Sequence, residues 1–195
     1  SAGPVRASRI VVCPGDDYLS LYPERLAAYG LTKCQLQMLR VAPAAGTRLG
    51  SAVMSDHGLA RYKGYADLPE AAALADRLDA ERPATRAAGI HLIAVQSADG
   101  TLVVGDSHVY GPTPPPFASE AVDDLILDEL DAVLELPGRR VTERWTGIYA
   151  SSADRLMLRD APSAQSRIVI VTSGTGASTA FAIGEETIDE LFGKT

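Results

Sequence analysis

An α+β fold is predicted by three features of the chain. Short, strongly apolar strands stand at its two ends, in residues 9–15 (RIVVCPG) and 168–171 (IVIV). Between them run strands whose polar and apolar residues alternate, as in 32–41 (TKCQLQMLRV). Two amphipathic helices, near 69–81 and 119–135, carry apolar residues at helical spacing. An unbroken apolar run suits a strand buried on both faces, whereas alternation suits an antiparallel strand with one face open. One domain interrupted by another yields this order: an antiparallel sheet with helices, inserted between end segments of an incomplete α/β domain.

Each element has its own signal. The first strand stops at Pro14-Gly15, and residues 16–29 are helical in pattern, with Pro23 placed to start a new turn. Residues 52–65 read as two short strands about Asp56-His57-Gly58, a hairpin turn. Asp67-Leu68-Pro69-Glu70 opens the next helix with a carboxylate cap, an early proline and a returning glutamate. Ala71, Leu74, Ala75 and Leu78 form its apolar face. Residues 90–96 and 101–105 flank Asp99-Gly100, the strongest hairpin signal in the chain. Residues 111–116 (GPTPPP) make a stiff connection. Ser119 caps a helix with Val122, Leu125, Ile126 and Val133 on one face. A long strand over 139–150 and a short one over 155–158 follow. The last strand then passes through Gly174-Thr175-Gly176-Ala177-Ser178-Thr179 into a helix with Phe181, Ile188, Leu191 and Phe192 on one face.

Composition excludes several classes. With 195 residues and 46% hydrophobic content, the chain has enough apolar material for one large domain or two small ones. A net charge of −7 and the absence of any Lys/Arg run argue against a nucleic-acid partner. No apolar stretch reaches membrane length, and there is no secretory segment. Cys13 and Cys34 form neither a disulfide framework nor a CxxC pair, which suits a reducing, cytoplasmic setting. The chain opens on Ser1-Ala2-Gly3, so a fragment, a processed product or an engineered piece is expected.

The terminal glycine turn is the main chemical signal. Gly174 and Gly176 permit a tight turn and a close backbone approach. The first N–H groups of the helix beyond lack internal partners and favour an anion or an electron-rich ring. An ordinary strand-to-helix connection, in which glycine only lets helix and sheet pack closely, accounts for the same residues. Both readings stand. The dinucleotide fingerprint wants Gly or Ala where this chain has Thr179, and a second strand after the helix. A nicotinamide-binding fold opened by this turn is therefore not expected.

The run RIVVCPG, the antiparallel middle, ERWTGIYASSAD and then VTSGTG with its helix resemble the C-terminal half of FAD-dependent oxidoreductases of the D-amino-acid-oxidase (DAO) type. The resemblance extends from Ile10 to Phe192. QLQML, GIHLIAVQSADG, GDSHVYG, DLILDEL, ERWTGIYAS and SGTGASTAFAIGEE are similar to a bacterial branch associated with phosphonate catabolism. This implies a flavin enzyme that oxidises a small amine, an aminophosphonate or an amino acid, by hydride transfer to FAD. It also implies a partial FAD-binding domain in 1–30 and 165–195, a substrate-binding domain in 31–164, and the N-terminal half of the same enzyme as partner. Gly174, Thr175, Gly176, Ala177, Ser178 and Thr179 match the segment that lies beneath the flavin ring, and Cys13 and Gly15 match a strand end that approaches the cofactor. No cysteine stands in the turn, so dissociable FAD is expected.

Two departures from the family matter. The pyrophosphate turn and ribose-binding acid belong to the N-terminal half, so this chain alone is expected to hold FAD weakly and to be inactive. Amino-acid oxidases of the family carry a carboxylate-binding arginine in a W-x-G-[LI]-R-P pattern. Here the pattern runs Trp145-Thr146-Gly147-Ile148-Tyr149-Ala150, and Tyr149 takes the arginine's place without its charge. Arg61 and Lys63, beside Tyr62, read either as a solvated edge or as an alternative anion contact. His108, with Tyr110 nearby, reads either as a structural strand-end residue or as a substrate contact. His57 and His91 look structural, and the three histidines look too scattered for a metal. Trp145 reads as core. No G-x-S-x-G elbow exists, so a hydrolase is excluded. No residue is assigned as catalytic, and a binding domain derived from this scaffold, without flavin, is the alternative function.

Overall fold

The computed structural model describes residues 3–193. Contacts divide the chain into two units: Ser1–Cys34 with Tyr110–Pro112 and Ile148–Thr195, and Gln35–Val109 with Thr113–Gly147.

The first unit is built on a three-stranded sheet. Strand β1 (Ile10–Val12) pairs in parallel with β9 (Ser166–Val171), and β8 (Met157–Ser163) pairs antiparallel on its other side. The central strand is buried, as its apolar run predicts. Ile168 and Ile170 pack with Tyr18, Leu26, Ala150 and Leu158. Residues 148–164, grouped by the sequence with the middle of the chain, thus include a strand that ladders onto β9.

Three expectations fail in this unit. The helical pattern over 16–29 shrinks to α1 (Pro23–Ala27), because Tyr22 adopts a left-handed conformation (φ 56°) immediately before the proline. A residue preceding proline is disfavoured in the right-handed helical region, so no helix runs through it. The first strand is not buried: Ile10 and Val11 are exposed, since β1 has a neighbour on one side only. Nor does α6 (Gly176–Phe192) bury its apolar face. Leu191 is covered, but Phe181 is 93% exposed and Ile188 and Phe192 also face outward.

The other sheet, most of whose residues lie in the second unit, has the order β3-β4-β5-β2-β6, with β7 beside β2. Its strands are β2 (Thr32–Ala42), β3 (Val53–Met54), β4 (Ile93–Gln96), β5 (Leu102–Gly105), β6 (Val109–Gly111) and β7 (Arg140–Ser151). The β2–β5, β3–β4 and β4–β5 ladders are antiparallel, with Leu39 opposite Val104 and Ala94 opposite Val104. Helices α2 (Lys63–Ala66), α3 (Ala71–Glu81), α4 (Pro83–Ala87) and α5 (Glu120–Val133) complete the unit. Leu39, Val41, Leu92, Leu102, Ile126 and Leu130 form its core and are almost wholly excluded from solvent. The hairpin at Asp99-Gly100 forms as predicted. Asp99 Oδ1 accepts from the Thr101 amide at 2.9 Å and from its hydroxyl at 2.7 Å, and Gly100 takes φ 86°.

Local signals mislead in four places. Only one short strand, β3, forms in 52–65; the rest is a 3₁₀ turn at Asp56–Gly58 and α2. Asp67 ends α2 instead of capping the following helix. The Ser119 hydroxyl makes no cap bond on α5; Gln37 instead holds the Ser119 backbone, accepting from its amide (2.8 Å) and donating to its carbonyl (2.9 Å). Trp145 is 37% exposed and so is not core.

In the first unit Arg25 clamps Asp160 through Nε and Nη2, and its hydrogen bond holds the Asp160 carboxyl below the usual carboxylate range. A depressed carboxyl stabilises the folded state above its unfolded pKa and loses that contribution as pH falls through the folded value. Asp160→Asn should therefore lower the thermal midpoint at neutral pH, with the gap to wild type closing in acid below about pH 4. In the second unit Ile126→Ala should cost about 2–5 kcal/mol in urea unfolding, because it opens a cavity among fully buried side chains.

Candidate functional site

In the first unit the glycine turn is anchored at its start. The Thr172 amide donates to the Leu156 carbonyl at 3.0 Å, and its hydroxyl donates to the Arg155 carbonyl at 2.6 Å. Gly174 then takes φ 72°, a conformation that side chains other than glycine rarely adopt. A Cβ on Gly174 would stand 3.3 Å from the Tyr149 phenolic oxygen. Tyr149 and the turn are therefore in direct register, brought together by the end of β7. Gly176 is under less constraint: a Cβ there would meet Val171 at 3.7 Å, an ordinary contact.

The start of α6 is open to an acceptor. No side chain caps it at Thr175. The Ser178 and Thr179 hydroxyls turn back to donate to the Thr175 carbonyl at 3.1 and 2.9 Å, and Thr175 Oγ1 bonds the Ser173 hydroxyl at 2.7 Å. With the hydroxyls so committed, the early N–H groups of the helix are left for a group outside it. Cys13 and Gly15 follow β1 and line an open, mostly apolar groove of about 470 Å³ together with Val171, Ile183 and Ile188.

In the second unit the structure gathers Arg61 and His108 into one cluster. It adds two residues that sequence reasoning passed over, His91 and Asp106. His108 Nδ1 donates to the Gly89 carbonyl at 2.9 Å, since a carbonyl can only accept, and His108 Nε2 lies 3.7 Å from Asp106 Oδ2. Arg61 Nη1 donates to His91 Nδ1 at 3.3 Å, and that nitrogen lies 3.6 Å from Asp106 Oδ1. The two imidazole rings are 4.2 Å apart at their centroids. Two of the three histidines, His91 and His108, are thus not scattered, and His91 is more than a packing residue.

Burial favours the uncharged form of each titrating member. Desolvation takes His91 down to about 3, with the Arg61 charge adding to the effect. It takes His108 down to about 4 against the pull of Asp106, and it raises the Asp106 carboxyl. Arg61 is therefore the cation of this cluster at neutral pH. The hairpin register alone does not give the pair of His91 and Asp106. Extending the β4–β5 register past Ile93↔Gly105 would set Leu92 against Asp106; the pairing instead shifts by one residue, and the backbones of His91 and Asp106 exchange hydrogen bonds of 3.2 and 3.4 Å.

His57 lies elsewhere in this unit, buried in the 3₁₀ turn, with Nε2 3.7 Å from Glu129 Oε1. Lys63 begins α2 and is exposed. Among the described residues, no helix is long and apolar enough to cross a membrane.

Residues 23–190 match the DAO family, described as FAD dependent oxidoreductase. The chain belongs to the DAO family. Among curated proteins, no sequence matches it. Solved structures show the same fold. An L-proline dehydrogenase from P. horikoshii aligns with a TM-score of 0.64 at 16% identity, over 96% of this chain and 43% of its own. A glycine oxidase from Bacillus cereus aligns with a TM-score of 0.63 at 14% identity, over 100% and 45%. An L-amino acid deaminase from Proteus vulgaris aligns with a TM-score of 0.59 at 19% identity, over 99% and 41%. The chain therefore spans less than half the length of each of these enzymes.

The family's cofactor is FAD. The residues present fit one end of it: the uncapped start of α6 offers N–H donors, and Gly174 keeps the turn free of a side chain where Tyr149 approaches. Gly174→Ala tests how far this turn is fixed. Its left-handed backbone and the crowding against Tyr149 should together cost at least about 1–2 kcal/mol in chemical denaturation.

Proposed function

We propose that this chain is the C-terminal half of an FAD-dependent enzyme that oxidises a small amine, in the branch of the DAO family associated with phosphonates. The observation that carries the reading is Tyr149, held against the glycine turn at the position where amino-acid oxidases of this family keep an arginine. A phenol donates or accepts one hydrogen bond and supplies no charge. A substrate whose acid group needs a guanidinium must then find it elsewhere, and Arg61 is the cation we assign to that contact. His108, neutral and directed at Asp106, contributes a hydrogen-bonding nitrogen in place of a charge. Arg61 with His108, both in the second unit, would suit the acid group of an aminophosphonate or an amino acid.

FAD, when bound, accepts two electrons as a hydride from the carbon next to the amine nitrogen. The N–H groups and dipole at the start of α6, with Gly174, Thr175, Gly176, Ala177, Ser178 and Thr179 around them, would stabilise the negative charge that reduction leaves on the ring. We assign Cys13 and Gly15 to the same cofactor-facing side. The exposed apolar residues of β1 and α6, Val11, Phe181 and Ile188 among them, support a second assignment. They form the face that receives the N-terminal half of the enzyme, which would carry the pyrophosphate cradle. On this reading the first unit belongs to the FAD-binding domain and the second to the substrate domain. Cys13, exposed, and Cys34, buried, fit a reducing, cytoplasmic location.

The test is anaerobic titration of the full-length enzyme with candidate amines while its flavin absorbance is followed. Bleaching by an aminophosphonate or small amine supports the reading, and a colourless full-length protein that binds no FAD overturns it. Tyr149→Arg in the same enzyme should raise kcat/KM for simple α-amino acids relative to the natural amine, because a charged bidentate contact reappears. An unchanged ratio with the fold intact would remove Tyr149 from the substrate site.

A further inference from the structure

The second unit holds a donor set that flavin binding does not require, although His108 also stands in the substrate contact proposed above. We propose that His91, Asp106 and His108 bind a divalent transition-metal ion of the zinc type. Two imidazoles and one carboxylate form a mixed set suited to such ions, and they leave at least one coordination position for water or an anionic group. Each residue offers one ligand atom, and these atoms all lie within 4.8 Å of one another. Ligands about 2.1 Å from a common ion stand at most about 4.2 Å apart, so sub-ångström side-chain shifts close the set.

The backbone positions all three. His91 and Asp106 are cross-strand neighbours that exchange amide and carbonyl hydrogen bonds, and the His108 amide donates to the Ala88 carbonyl at 3.1 Å. The Gly89 carbonyl fixes the His108 ring by accepting from Nδ1, which makes Nε2 the ligand atom. This is the outer-shell arrangement that orients metal-binding histidines. Gly89 is required for it. Its φ is 62°, and a Cβ there would fall 2.9 Å from the His108 carbonyl oxygen.

Arg61 opposes the ion. Its guanidinium donates to His91 Nδ1, so a metal taking that nitrogen must displace it. The displaced guanidinium and the ion would then face any anion bound at the open position. The inference shares Arg61 and His108 with the substrate contact proposed above, but metal binding is read without amine or flavin, so the two can fail separately.

Titration of the full chain with Zn²⁺, followed by calorimetry, and with Co²⁺, followed by its ligand-field absorption, tests the site. One equivalent of each is expected to bind. Asp106→Asn should weaken the affinity at least about tenfold with the far-ultraviolet dichroism unchanged. Arg61→Met should strengthen it. Nitrogen-15 spectra of histidine-labelled wild type need no variant to fold: two imidazole signals should shift on adding Zn²⁺, while that of His57 stays in place. Absence of stoichiometric binding, binding that survives both Asp106→Asn and His108→Gln, or unshifted imidazole signals would each overturn the proposal.

Discussion

The carboxylate of Asp99, accepting from both the amide and the hydroxyl of Thr101, closes the turn on which the second unit is registered. Side chains in a strand alternate with a period of two, so a slip of one residue would exchange the two faces of β4 and β5. The observed register sends Leu92, Ala94, Leu102 and Val104 into one core with Ile126 and Leu130 of α5. At the open end of the hairpin the pairing shifts by one residue, and His91 exchanges backbone hydrogen bonds with Asp106. The core follows from the turn, and the polar cluster from the shift beyond it. Most of the hydrophobic burial here comes from residues whose partners are far away in sequence but fixed by that pairing.

A different constraint governs the first unit. A parallel pair such as β1 and β9 has no hairpin to join it, and parallel strands are usually covered on both faces. Within this unit β9 is covered, whereas β1 and most of the apolar face of α6 are not. Exposed aromatic and aliphatic side chains thus concentrate along one strand and one helix. Phe181 illustrates the point, since a phenylalanine on a helix face gains nothing from water.

Legibility in the sequence followed how local the determining physics is. The buried run of β9, the alternation of β2, the Asp99-Gly100 hairpin and α5 could all be read, because period and turn chemistry are written in neighbouring residues. Residues 16–22 and 59–66 could not, since a left-handed Tyr22 before Pro23 and a short helix after the 3₁₀ turn break the pattern locally. Ser119 looked like a side-chain cap, but Gln37, remote in sequence, took over its backbone groups. The glycine turn and Tyr149, singled out through resemblance to the family, do stand in contact. His91 and Asp106 were not singled out, because their significance lies in a cross-strand pairing that composition does not display.

The distribution of charge gives the candidate sites their chemical character. Tyr149 sets its phenol against Gly174 and brings no permanent charge to the turn. In the second unit burial holds both histidines neutral and works against ionisation of Asp106, leaving Arg61 as the resident cation. A guanidinium retains its charge where an imidazole loses it, so the two residue types cannot be exchanged in this setting. The arrangement pairs one fixed positive charge with several adjustable donors and acceptors. Such a site discriminates by hydrogen-bond geometry as well as by charge.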